Sequence, residues 1–216
     1  MDGQIKFEDR RWSEHDQKIQ NRHKFALDFI TRGRVIDIGC GDGLFLKLLK
    51  EKGVEGVGVD FSEVGIKKCH EAGLEASVLN VSQEKLPFTD SCFDYAAILD
   101  VLEHTHHPED VLAEAARVSH RLILSVPNFN SLAARWQMLR GLIPENNKSN
   151  KGHIFWFNEK VLKNLLDKQG LRIIDWRTNT VWEGKPVIGG IMIYLLKLFP
   201  SLFALQFVVL AEKKAC

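Results

Sequence analysis

The amino-acid sequence predicts an α/β protein built on a doubly wound, largely parallel sheet. Three observations carry that expectation. Short β-branched runs alternate with amphipathic helical patterns from Arg34 to Val126. A glycine-rich turn, "DIGCGDG", joins the first run to the first helical pattern, and an acid, Asp60, ends the second run. Alternation at this spacing places crossover helices between parallel strands and covers both faces of the sheet. The right-handed crossover rule then leaves a doubly wound topology as the simplest one.

The elements follow in order. "RVIDI" reads as a buried strand, and 43–52 as a helix with apolar Leu44, Phe45, Leu48 and Leu49, stopped by Gly53. Residues 54–60 form a second strand. Ser62 caps a helix over 63–72 that Gly73 ends. "EASVLN" and "FDYAAIL" give strands three and four. Pro108 suits the first turn of a helix whose Val111, Leu112, Ala115 and Val118 share one face, and "RLILSV" is the fifth strand. Beyond Pro127 a helix over 131–140 leads into the polar loop "PENNKSNKG". Asn158 then caps a helix ended by Gly170, and "LRIIDW" and "LQFVVLAE" close the chain as two more strands.

Composition narrows the partners. With 216 residues, 45% hydrophobic and 26% charged, the chain can bury a substantial core. A formal net charge of +1 and dispersed lysines and arginines give none of the basic stripe that nucleic acid requires. Cys40, Cys69, Cys92 and Cys216 form no C-x-x-C pair, which argues against a zinc ribbon or a disulfide framework and fits a reducing cytoplasm. The polar, charged start "MDGQIKFEDRRW" is unlike a signal peptide. Residues 186–210 are strongly apolar, but their longest clean run, Val187–Leu196, has ten residues, and Lys197, Pro200 and Gln206 interrupt the rest. A spanning helix needs about 20. The expectation is a buried helix followed by a buried strand, with no stable membrane insertion.

The glycine turn leaves the carboxyl end of the first strand, where open α/β sheets bind ligands. Gly39, Gly41 and Gly43 permit close backbone approach, and the following helix N-terminus offers amides. The pattern is G-x-G-x-G. A dinucleotide fingerprint would place Gly or Ala where Leu44 stands, and no G-K-[ST] follows for a Walker loop. Asp60 sits where an acid accepts from ribose hydroxyls.

Together "VIDIGCGDG", "GVGVD", "LPFTDSCFDYAAILDVLEH" and "RLILSVPN" resemble, in order over 34–128, the successive motifs of class I S-adenosylmethionine-dependent methyltransferases. "SVPNFNSLAARWQMLRG" and "HIFWFNEKVLKNLLDKQGLRI" resemble more narrowly the MetW-like methyltransferases. The resemblance implies a Rossmann-like seven-stranded sheet ordered 3-2-1-4-5-7-6 with strand seven antiparallel. It implies one domain over 1–216: an N-terminal helical cap (1–33), a cofactor core (34–128), and substrate-side elements with the last two strands (129–216).

The same resemblance implies S-adenosyl-L-methionine as cofactor, S-adenosyl-L-homocysteine as product and a small-molecule methyl acceptor. The backbone of Gly39, Cys40, Gly41 and Gly43 would face the methionine part, braced by Asp37. Asp60 would bind the ribose and Phe61 lie against the adenine. Asn80, in place of the family's usual acid, and Val81 would meet the adenine edge, while Leu99 and Asp100 line the methionine side. The cofactor carries the reactivity, so the protein supplies position and electrostatics. His104 and His153 are the candidate general bases. "EHTHHPE" lacks a ligand pair at metal-binding helical spacing, so no metal is expected. The N-terminal segment could cover the cofactor, residues 128–157 could form the opposite wall, and Trp136, Phe155, Trp156 and Phe157 either line a pocket or belong to the core. Two other function classes stay open: a cofactor-binding regulatory partner of a homoserine O-acyltransferase, and a nicotinamide oxidoreductase, against which Leu44 speaks.

Overall fold

The computed structural model describes residues 12, 18–148, 151–179, 194–195 and 198–214. Its elements run α1 (Asn21–Phe29), β1 (Arg34–Ile38), α2 (Leu44–Glu51), β2 (Glu55–Asp60), α3 (Glu63–Glu71), β3 (Glu75–Val78), β4 (Phe93–Leu99) and a 3₁₀ turn at Leu102–His104. There follow α4 (Pro108–Val118), β5 (Ser119–Pro127), α5 (Leu132–Leu139), a 3₁₀ turn at Glu145–Asn147, α6 (Glu159–Lys168), β6 (Leu171–Asn179), α7 (Pro200–Phe203) and β7 (Gln206–Lys213).

The seven strands form one sheet in the order β3-β2-β1-β4-β5-β7-β6. β1 to β5 pair in parallel, whereas β7 runs antiparallel to both β5 and β6. The expected topology is therefore observed. β1 is flanked by β2 on one side and β4 on the other, so strand order reverses there and a crevice opens at the carboxyl ends of β1, β2 and β4.

Alternation along the strands explains the two hydrophobic layers. Val35 packs on one face with Phe45, Leu49 and Ile66, and its neighbour Ile36 packs on the other with Phe93, Leu112 and Leu122. β7 reads as a continuous apolar run because Phe207 to Ala211 are all buried, sealed on both faces.

The predicted caps hold. Ser62 accepts from Gly65 N at 3.1 Å and Asn158 from Val161 N at 2.9 Å. The 86–90 loop is tied down by Arg117, whose guanidinium donates to Leu86 O at 3.0 Å, Phe88 O at 2.8 Å and the carboxylates of Glu114 and Asp90 at 2.7 Å. That guanidinium in turn lowers the Glu114 pKa. Most of the expected apolar helix before β7, over 186–197, lies outside the described residues, as does the N-terminal segment up to residue 17 apart from Trp12. Among the described residues no helix is long and apolar enough to cross a membrane.

Candidate active site at the carboxyl end of the sheet

The glycine turn is pinned to β2. Gly39 N and Cys40 N both donate to Val59 O, at 2.7 and 3.1 Å, and Gly41 N donates to Asp60 Oδ2 at 2.9 Å. The other Asp60 oxygen accepts from Ser62 N at 2.8 Å, so one carboxylate ties the turn to the start of α3. Gly39, Gly41 and Gly43 all have positive φ, and a Cβ on Gly41 would run into the Trp12 indole. Gly65, on α3, permits an equally close approach: a Cβ there would stand 2.6 Å from Gly41 O.

Beneath the turn lies Asp37, only 2% exposed. Burial first, and the charge of Asp60 second, push its pKa up to about 8. The Cys40 thiol is also held well above its ordinary value, by hydrogen bonding with Cys69, by burial and by the nearby carboxylates. Its side chain packs inward, against the space a Cβ on Gly58 would take.

A cavity of about 450 Å³ opens beside this turn. Of the residues the sequence pointed to, it gathers Gly39, Asp60, Phe61, Asn80, Val81, Leu99, Asp100 and His104. Asp37, Cys40, Gly41 and Gly43 support the turn without lining the cavity, and His153 stands behind His104. The Asn80 side-chain oxygen already accepts from Ser82 N at 3.1 Å, shaping the turn after β3.

Asp100 follows β4 with a φ of 57°, a left-handed conformation that aspartate tolerates better than most residues. Its Oδ1 accepts from Ser125 Oγ at 2.5 Å and Gln206 Nε2 at 2.6 Å, while Arg22 Nη1 lies 2.9 Å from Oδ2. Three elements, α1, β5 and β7, thus converge on one carboxylate. Sequence reading missed Arg22, Ser125 and Gln206, since no local pattern links α1, β5 and β7 to a loop after β4.

Of the two readings of the four aromatics, the core one holds for Phe157 and Phe155, and the pocket one for none. Phe157 is fully buried in the core, and Trp136 and Trp156 are 60% and 58% exposed. Phe155 is half-buried against the core, and none of the four lines the cavity. Trp12, Arg22, Thr105, His106 and His107 line it instead. Residues 152–155 reach the 3₁₀ turn beside the cavity without lining it. Ile154 N and Phe155 N donate to Glu103 O at 2.8 and 3.0 Å, and His104 Nδ1 lies 3.1 Å from Gly152 O.

Comparison with known proteins places this geometry. Residues 20–170 match the family model described as methionine biosynthesis protein MetW. Among curated relatives, a ubiquinone biosynthesis O-methyltransferase of Hahella chejuensis is 31% identical over 130 residues, covering 53% of this chain and 55% of its own. One of Xylella fastidiosa is 26% identical over 194 residues, covering 77% and 78%. The chain spans about half the length of most of the curated relatives it matches. Solved structures share the fold. A SAM-dependent methyltransferase from Archaeoglobus fulgidus aligns with TM-score 0.63 at 23% identity, covering 89% of this chain and 95% of that one. Magnesium protoporphyrin IX methyltransferase from Synechocystis, with bound SAH, aligns with TM-score 0.66 at 16% identity, covering 97% and 94%. With its sheet order, its glycine turn pinned by Asp60 and a family match running from α1 to the end of α6, this chain belongs to the MetW family, on the class I S-adenosylmethionine-dependent methyltransferase fold.

Proposed function

We propose that the protein binds S-adenosylmethionine in the cavity between Asp60 and Asp100 and transfers its methyl group to an oxygen of a small molecule. One observation carries the reading. The cavity opens at the switch point of the sheet, between the β2-end carboxylate that fixes the glycine turn and the β4-end carboxylate that faces it. Asp60 would take the ribose hydroxyls, Phe61 the adenine face, and Asn80 and Val81 its edge. The methionine part would lie along Gly39, Leu99 and Asp100, over a turn backed by Cys40, Gly41, Gly43 and Asp37. The sulfonium is cationic, and carboxylates nearby favour it electrostatically. In the transfer the sulfur–methyl bond breaks as the oxygen–methyl bond forms, and sulfur keeps the electron pair. The acceptor's proton leaves at the His104 end of the cavity. The oxygen acceptor is supported by the O-methyltransferase names of the curated relatives.

Calorimetric titration with S-adenosylhomocysteine tests the cofactor, and mass spectrometry of co-purified small molecules tests the acceptor. The expected result is saturable one-to-one binding; no binding by a folded protein overturns the reading. The family match supports a second reading, a cofactor-binding partner of a homoserine O-acyltransferase with little turnover. Cofactor binding without methylated product across a broad acceptor screen, together with co-elution with that enzyme, would favour it.

A further inference from the structure

Two chain segments far apart in sequence meet beside the cavity. Glu103 and His104 come from the 3₁₀ turn after β4, and His153 from the strap that leads to α6. Their ligand-capable atoms all lie within 4.8 Å of one another, with Glu103 Oε1 and His153 Nε2 3.9 Å apart. The Glu103 side chain is 1% exposed and that of His153 11%. A carboxylate this buried is stable only in polar or cationic company, and the His153 imidazole supplies part of it.

We propose that Glu103, His104 and His153 form a site for one divalent first-row transition cation, of the Zn²⁺, Mn²⁺ or Fe²⁺ class. Four features support the assignment. Two imidazoles and a carboxylate are the donor set that such ions prefer over Mg²⁺ or Ca²⁺, which favour oxygen alone. Ligand atoms around a tetrahedral ion stand about 3–3.5 Å apart, given bonds of about 2.0–2.2 Å, so small side-chain rotations close the present spacing. The Gly152 carbonyl can only accept, so His104 Nδ1 donates to it, and in a neutral ring Nε2 is then the ligating atom. A backbone carbonyl fixing the tautomer in this way is the usual support behind a metal-bound histidine. The main chain of the strap is also fastened to the Glu103 carbonyl by the hydrogen bonds that the Ile154 and Phe155 amides donate, which hold His153 in place independently of any ion.

Three protein ligands leave coordination positions open, and His104 lines the cavity. The cation would therefore bind the acceptor through its oxygen and lower the pKa of that hydroxyl, so that the acceptor reacts as an alkoxide or phenolate. The acceptor class this favours carries two adjacent oxygens able to chelate, a hydroxyl beside a second hydroxyl or a carbonyl. This step rests on the methyltransferase reading above, whereas the cation site itself does not. The sequence suggests a metal only through His104, His106 and His107, whose spacing argues against one; the third ligand here comes from residue 153.

The test uses the 216-residue chain without a histidine tag, stripped with chelator and desalted. Co²⁺ is titrated in and read by its visible absorption, and bound metal is counted after equilibrium dialysis against Zn²⁺. S-adenosylhomocysteine affinity is measured on the same samples. The expected outcome is one equivalent per chain, with affinity reduced at least tenfold in His153→Ala and in Glu103→Gln and S-adenosylhomocysteine affinity unchanged in His153→Ala. If Glu103→Gln fails to fold, His104→Asn takes its place. No Co²⁺ or Zn²⁺ binding by the wild type, or equal binding by His153→Ala, overturns the site. Loss of S-adenosylhomocysteine binding in the wild type would instead overturn the cofactor reading and leave the metal result standing.

Discussion

Asp60 does two jobs with one side chain. Its oxygens accept the amides of Gly41 and Ser62, and the same carboxylate faces the cavity. Hydrogen bonds to charged groups contribute about 1.5–3 kcal/mol. Asp60→Ala is therefore expected to weaken S-adenosylhomocysteine binding by about ten- to a hundredfold, on the scale where 1.4 kcal/mol is tenfold. Calorimetry on a variant with a cooperative melt measures this, and an unchanged affinity would remove Asp60 from the site. Asp37 presents the opposite electrostatics. Its folded-state pKa near 8 stands above the ordinary 3.8, so between those values the native chain holds the proton more tightly than the unfolded one. Ionising it costs nothing below pH 4, costs progressively more as pH rises, and costs the full amount above pH 8. Asp37→Asn should thus raise the melting temperature more at pH 9 than at pH 5. A variant whose melting temperature follows the wild type across that range would show that Asp37 is not buried as a neutral acid.

At the scale of elements, the start of α3 matters more than its length. Ser62 caps it and Gly65 lets its first turn press against the carbonyl of Gly41. Alanine is a better helix former than glycine by about 1 kcal/mol in a helix interior, so propensity alone makes Gly65→Ala stabilising. Packing decides otherwise: a Cβ 2.6 Å from a backbone oxygen forces the helix and the turn apart. The variant is expected to melt lower and to bind S-adenosylhomocysteine at least fivefold more weakly. Thermal denaturation followed by circular dichroism, with calorimetry, checks both, and a higher melting temperature with full affinity would show that the contact yields freely.

Across the whole molecule, β7 is what closes the sheet. It lies between β5 and β6, antiparallel to both, and contributes Gln206 to the Asp100 cluster. Removing residues 200–216 would leave β5 and β6 without their shared partner and expose apolar surface on both. The truncated chain should lose its cooperative thermal transition and its ability to bind S-adenosylhomocysteine. A truncation that melts cooperatively and still binds would show that β1 to β5 form an independent unit.

By itself the sequence determined the elements and the loop. Period-two and helical patterning set β1 to β7 within a few residues, because burial on one or two faces writes itself into local order, and Ser62, Pro108 and Asn158 marked helix starts through bonds made within one turn. The glycine turn and Asp60 were legible for the same reason: the turn and the following strand end are close in sequence, and their chemistry depends on backbone conformation. Tertiary structure alone decided what stands opposite. Arg22, Ser125 and Gln206 reach Asp100 from three separate elements, and His153 reaches Glu103 across 50 positions, through strand pairing and crossover packing that leave no local signature. It also decided that Trp136 and Trp156 lie at the surface while Phe157, of similar character, is sealed in the core. An aromatic ring reports that area can be buried; which neighbour buries it is set by the fold.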